Sequence, residues 1–224
     1  LRTPRASGPC PHRCNVSVTS GDPDTSAESA EIVPTAVARG LTTVFGFASE
    51  LTQICSTLKS YGYEVMNSHY GTIQNRPGQS NEEACLEAVE DCHLVLAIIR
   101  SRYGSGITLK EICRAIEIEK PVWKIAEQDI EKFRQLLKPI LYATDATTNL
   151  PVARVLVPNR KTGVLDDLRI IDLYNLCIQD HLPVSERRSN WVQSYEDVDD
   201  VFRFLETNLK DVDRVRQIIQ PTHP

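Results

Sequence analysis

A loop of small residues and arginines, Arg100-Ser101-Arg102-Tyr103-Gly104-Ser105-Gly106, stands between an apolar run and Thr108-Leu-Lys-Glu111. These side chains suit ligand binding. Arg100 and Arg102 can hold a phosphate through paired N–H donors. Tyr103 can stack on a base. Gly104 and Gly106 permit positive φ and let a ligand approach the backbone. Glu111 places a carboxylate in the first turn of the next helix. His69 and Tyr70 lie on a second polar stretch, and a histidine ordinarily titrates near neutrality, as a general acid or base requires. Each residue also has a plainer role. Thr108 and Glu111 fit a capping box, which would spend the carboxylate on the backbone. The arginines can be solvated, Tyr103 can pack over a sheet end, the glycines can make a turn, and His69 can be a surface histidine.

The surrounding elements decide where these residues fall. His93–Ile99 is an almost unbroken apolar run, which suits a strand buried on both faces of a parallel sheet. Leu109, Ile112, Ala115 and Ile116 share one helical face. Pro121 disfavours helical geometry at Lys120, so the helix stops there and a strand follows over 122–126. Upstream, the pattern predicts strands over 41–47 and 62–66 and helices over 48–61 and 81–91. Gly62 is a helix stop, and Ser80 and Glu83 form a capping box. Alternating strands and helices argue for a parallel sheet covered on both faces. In such a sheet, ligands bind outside the carboxyl ends of the strands. The loop over 100–107 and the polar stretch Asn67–Gln79 would both lie on that rim.

Beyond the core, the periodicity predicts helices over 127–141 and 166–179, and a short strand over 153–157. An edge strand is expected over 190–195, with Trp191 as a packing anchor. Asp197 caps one long last helix, carrying Val201, Leu205, Leu209, Val212 and Val215. The expected organisation is a loosely packed or disordered segment over 1–40, an α/β core over 41–164, and C-terminal helices with an edge strand over 165–224. The fold class is a three-layer α/β domain with a mostly parallel sheet, flavodoxin-like in outline, and a C-terminal helical extension.

Composition narrows the function. The 224 residues are 41% hydrophobic and 25% charged, as in a soluble globular protein. A net charge of −5 without a basic stripe argues against nucleic acid as a partner. No apolar run reaches membrane-spanning length, and no signal-peptide core is visible, so a cytoplasmic protein without a membrane partner is expected. Seven cysteines is an odd number, and Cys55, Cys85, Cys92, Cys113 and Cys177 fall in apolar-periodic segments. They read as buried thiols in a reducing compartment. Cys10-Pro-His-Arg-Cys14 is a Cys/His cluster without the second pair a zinc site needs, so no metal and no bound cofactor are expected. There is no dinucleotide fingerprint, P-loop, GxSxG elbow or HExxH.

The stretch from Glu82 to Trp123, with Gly62-Tyr-Glu-Val65 before it and a weaker tail around Asn190-Trp191, resembles a prokaryotic family named domain of unknown function 4062. The RYGS run and the T-x-x-E helix start are the most specific elements. That family resembles TIR domains and nucleoside deoxyribosyltransferases, in which a glutamate early in the equivalent helix acts on the ribose of a nucleoside or NAD. The resemblance implies that Glu111 is catalytic, with Ser101 and Ser105 in a serine-containing pocket loop. Cleaving an N-glycosidic bond builds positive charge on the sugar, which a carboxylate stabilises. The implied function is binding of a nucleotide-type ligand, NAD or a nucleoside phosphate, with N-glycosidase or deoxyribosyltransferase-like hydrolase activity in bacterial defence or stress signalling. Arg100, Arg102, Tyr103, Gly104, Ser105, His69 and Tyr70 would line the ligand. The family's paired serines after its first strand are missing from Gly46-Phe-Ala-Ser-Glu-Leu51. That departure favours a different reading, a non-catalytic TIR-like module that self-associates as a homo-oligomer. A small-molecule sensor without turnover is a third.

Overall fold

The computed structural model describes residues 36–42, 46–147, 150–153, 162–187 and 191–219. Four strands and their crossovers form the core: β1 (Val37–Thr42), α1 (Ala48–Ser60), β2 (Glu64–Met66), α2 (Asn81–Asp91), β3 (Leu94–Ile99), α3 (Ile107–Glu117) and β4 (Val122–Glu127). α4 (Gln128–Leu141), a hairpin of β5 (Tyr142–Thr144) and β6 (Pro151–Ala153), and α5 (Arg169–Cys177) follow. The chain then returns to the sheet through β7 (Gln193–Tyr195) and ends in α6 (Val198–Leu209) and α7 (Val212–Ile219). Among the described residues, five strands pair in parallel in the order β2-β1-β3-β4-β7. This is the three-layer α/β fold with C-terminal helices that the alternation predicts, in a flavodoxin-like order.

The central strand explains the layering. All six side chains of β3 are buried. Leu94, Leu96 and Ile98 pack with Leu51 and Ile54 of α1 and Val201, Leu205 and Val215 of α6 and α7. Val95, Ala97 and Ile99 pack on the other face with Val89, Ile112, Ala115 and Ile130 from α2, α3 and α4. Each large aliphatic side chain so buried contributes about 1.5–3 kcal/mol. The same alternation governs β1. Ala38 joins the first face, and Arg39, next along the strand, turns toward the α2–α3 layer. From β1 the chain steps outward to β2, then back across β1 to β3. This reversal opens a crevice outside the carboxyl ends of β1 and β3.

Several expected boundaries move. The first strand begins at Val37 rather than 41, so residues 37–40 belong to the sheet and not to a loose N-terminal segment. Residues 43–45 lie outside the described residues, as does the Cys10–Cys14 cluster. β6 covers 151–153 and meets the strand expected over 153–157 only at Ala153; 154–157 lie outside the described residues. The helix expected over 166–179 is the shorter α5. The single last helix is two. Asp211 accepts the N–H of Arg214 at 3.0 Å and starts α7 anew, while Leu209 and Val215 stay on the same core face. Trp191 is 76% exposed, so it is not the packing anchor the pattern predicts. β7 is an edge strand, as the pattern predicts. Cys55, Cys85, Cys92 and Cys177 are buried free thiols, and Cys113 is half-buried.

Asp180, just after α5, is 4% exposed and gathers Arg134, Lys138 and Arg187 at 3.0–3.1 Å. It ties the end of α5 to α4. Burial pushes its carboxyl up, but the hydrogen bond from Lys138 and the charge of Arg134 outweigh that and hold it below its ordinary value. A depressed folded value adds stability above the unfolded value of about 3.9 and loses it as pH falls through the lower folded one. Asp180→Asn is therefore expected to cost about 3 kcal/mol at neutral pH. Urea denaturation along a pH series should show the gap between the two proteins closing below about pH 3.9.

Candidate functional site

A cleft of about 740 Å³ opens at the strand reversal, floored by Arg39 and Gly40 of β1 and walled by α2 and α3. Ser68 and Gly71, after β2, and Arg102, Gly104 and Ser105, after β3, form its rim. The rim loop is pinned from outside. Glu127, at the end of β4, accepts the Ser101 N–H at 2.7 Å and the Arg100 Nε–H at 3.0 Å. Asp166 accepts the Tyr103 N–H at 2.8 Å and donates its own N–H to the Ser101 carbonyl at 3.3 Å. Gly104 and Gly106 turn the chain at φ 64° and 79°. A Cβ at Gly106 would stand 3.1 Å from the Tyr103 ring, so that position needs glycine on both counts.

This turn sets up the start of α3. Its N-cap is Gly106, which offers no side-chain cap. Among the described residues, the N–H groups of Thr108 and Leu109 have no hydrogen-bond partner, and Thr108 lines the cleft. An uncapped helix start of this kind favours an anion. By contrast, α2 carries the complete capping box of Ser80 and Glu83 expected from sequence.

The expected Thr108–Glu111 capping box does not form. Thr108 is the second helical residue rather than the cap, and Glu111 turns inward. Glu111 is 3% exposed and forms a buried ion pair with Arg39, itself 1% exposed. Arg39 Nη2 donates to Glu111 Oε1, and Nη1 donates to the Met66 carbonyl at 3.1 Å. The Nε of Arg39 is buried with no hydrogen-bond partner. The Cys85 thiol lies against the same carboxylate from α2. Burial pushes the Glu111 carboxyl above its ordinary value, and the Arg39 charge pulls it back. Burial and the neighbouring carboxylate both raise the Cys85 thiol, which keeps it protonated.

The other expected site residues divide. Arg102, Gly104 and Ser105 line the cleft with Glu111. Arg100 does not. It pairs with Glu127 and lies over the Phe47 ring at 4.5 Å. Ser101 serves through its backbone. Tyr103 is buried, with Arg169 at 4.3 Å over its ring, so it supports the loop instead of stacking on a ligand. His69 and Tyr70 sit in a short turn beside the cleft. Tyr70 bonds to Thr52, and neither side chain lines the wall. Sequence reasoning missed Arg39, Cys85 and Asp166. Arg39 had a signal, an arginine inside the apolar run Ala36-Val-Ala-Arg-Gly40 at strand period. Asp166 had none, because its partner is distant in the chain.

Residues 42–140 match the model of the family described as Domain of unknown function (DUF4062). This is the family expected from the RYGS and T-x-x-E segments. The match contains Glu111 and most of the cleft, and Arg39 lies just before it. No curated protein matches the chain.

Removing Arg39 tests the pair. Arg39→Met leaves a buried carboxylate without its cation and is expected to cost about 3–5 kcal/mol near pH 7.5. A raised folded pKa adds stability below the unfolded value of about 4.3 and loses it as pH rises through the folded one. The deficit should therefore shrink toward about pH 4.5, and Arg39→Met/Glu111→Gln should recover most of it at neutral pH. Chemical denaturation at both pH values checks this. A deficit independent of pH would contradict the assignment.

Proposed function

Taking residues 42–140 as a member of the DUF4062 family, we propose that the cleft binds a nucleotide-type ligand, NAD or a nucleoside phosphate, and that Glu111 cleaves the bond between base and ribose. One observation carries this reading: the Glu111 carboxylate is turned into the floor of a large cleft instead of capping its own helix. The phosphate group goes to the open start of α3, where Thr108 lines the cleft with Ser105 and Arg102. Glu111 lies one helical turn deeper, about 5 Å along the axis. The sugar of a bound nucleotide then rests over the carboxylate.

In this mechanism the leaving base departs with its bonding electrons, and positive charge spreads over the anomeric carbon and ring oxygen. Glu111 stabilises that charge in a site where low dielectric strengthens the interaction. Its acid–base state matters. Burial pushes the carboxyl toward its neutral form, and the charge of Arg39 opposes that push. Arg39 also fixes the carboxylate's direction, since its two Nη groups span Glu111 and the Met66 carbonyl. Arg39 is thus a positioning residue. A role in bacterial defence or stress signalling follows from the family resemblance alone.

A second reading has its own observation. Leu136 and Ile140, one turn apart on α4, are 70% and 64% exposed. Such a pair suits self-association of a non-catalytic module. The test is chromatographic detection of free base after incubating the protein with NAD, NADP, nucleosides and nucleoside monophosphates. Release by the wild type, cut about a hundredfold or more in folded Glu111→Gln, is expected. Equal release by both proteins would remove Glu111 from the chemistry. No release at any protein concentration, with association that grows with concentration, would favour the second reading.

A further inference from the structure

The wall that a departing base would face decides what kind of base can depart. With phosphate at the start of α3 and the sugar over Glu111, the base extends across β1 toward the β2 side of the cleft. Among the described residues, that wall is Ser68, Gly71, Ile73, Asn75, Asn81 and Ala84. Its polar side chains are a hydroxyl and two carboxamides, which carry no charge and do not ionise near neutral pH. Thr43-Val-Phe45, which follow β1 in the chain, add no ionisable side chain.

The ionisable groups elsewhere on the lining are committed. Glu111 is needed as an anion, and one carboxyl cannot donate a proton and remain the anion in the same step. Cys85 lies against that carboxylate from α2, and burial and the carboxylate hold its proton in place. Asp166 belongs to the β3 side, where its Oδ1 accepts the Tyr103 N–H at 2.8 Å. The guanidinium groups of Arg39 and Arg102 do not give up protons. His69 and Tyr70 sit in the turn after β2, and neither lines the cleft.

Bases differ in their need for a proton. A neutral purine or pyrimidine departs as an anion unless an acid protonates it, and such an acid contributes about 10²–10⁴ in rate. A base that is already cationic needs none. When its C1′–N bond breaks, the electron pair cancels the ring's charge and the base leaves neutral. Water then bonds to C1′ and releases its proton to Glu111 or to solvent. The products are the neutral base, the sugar phosphate and one proton.

Resting on the nucleotide reading of the cleft, we propose that its substrates are nucleotides whose base already carries a positive charge, a pyridinium or an N7-alkylated purine. The neutral β2-side wall is the specificity element. It lacks a cation to repel such a base, and it lacks the acid that a neutral base requires.

Chromatography of reactions with a matched pair tests this. N7-methylguanosine 5′-monophosphate and guanosine 5′-monophosphate share sugar and ring system and differ by one methyl group and its charge. Nicotinamide mononucleotide serves as the pyridinium. Each rate is divided by the rate without protein, because cationic bases also leave faster in water. The enhancement for both cationic nucleotides should exceed that for guanosine monophosphate by about 100-fold or more. The rate on nicotinamide mononucleotide should rise with pH to a plateau as Glu111 ionises, with no falling limb, and His69→Gln should leave it unchanged. Equal enhancement of the matched pair, a falling limb, or loss of rate in folded His69→Gln would reveal a proton donor. Any of these would overturn the inference while leaving a glycosidase in place. Release of base from none of the three nucleotides would remove the cleft's glycosidase reading as well.

Discussion

The buried pair of Arg39 and Glu111 is the constraint around which this molecule is arranged. An isolated charge of either sign would be expelled from such a place or neutralised. The two side chains persist because β1 and α3 bring them together and the Met66 carbonyl takes a second guanidinium donor. A buried ion pair adds little net stability over well-packed apolar residues. Keeping one at the floor of a cleft is costly for folding, and ligand binding is the role proposed for it.

The rest of the α2–α3 side follows from that demand. Arg39 reaches Glu111 because β1 alternates faces and because the chain reverses between β1 and β3. Glu111 points inward because α3 starts at Gly106, not at Thr108. That start depends in turn on the Gly104–Gly106 turn, with Tyr103 packed beneath it and Glu127 and Asp166 gripping the loop from β4 and from just before α5. Residues that look like ligand contacts, Arg100 and Tyr103, hold the loop in place. The α1–α6 face contributes bulk apolar packing, and Tyr63 fastens it by donating to the Leu209 carbonyl at 2.8 Å.

Much of the architecture was legible in the sequence, for a physical reason. The β3 run is apolar at every position and the helices carry clear 3.6-residue stripes, so element order and parallel pairing followed from local pattern. The capping box of α2 was readable because both partners lie within one turn. The site was harder. Glu111 was legible as a carboxylate at a helix start, yet the same four residues spelled a capping box, and only tertiary contact with Arg39 decided between them. Arg39 itself sat in a stretch whose Pro, Ser, Thr and Ala content masked a strand. The roles of Arg100 and Asp166 depend on partners 27 and 63 residues away, which no local pattern encodes.

The Arg39–Glu111 floor and the open start of α3 are proposed to form one binding site. The most direct measurement is a crystal structure of the protein in complex with ADP-ribose. The expected complex has a ribose ring against the Glu111 carboxylate and a phosphate at the start of α3 beside Thr108. A ligand outside the cleft, or inside it with phosphate on Arg100 and nothing near Glu111, would rule out a single site built from these parts.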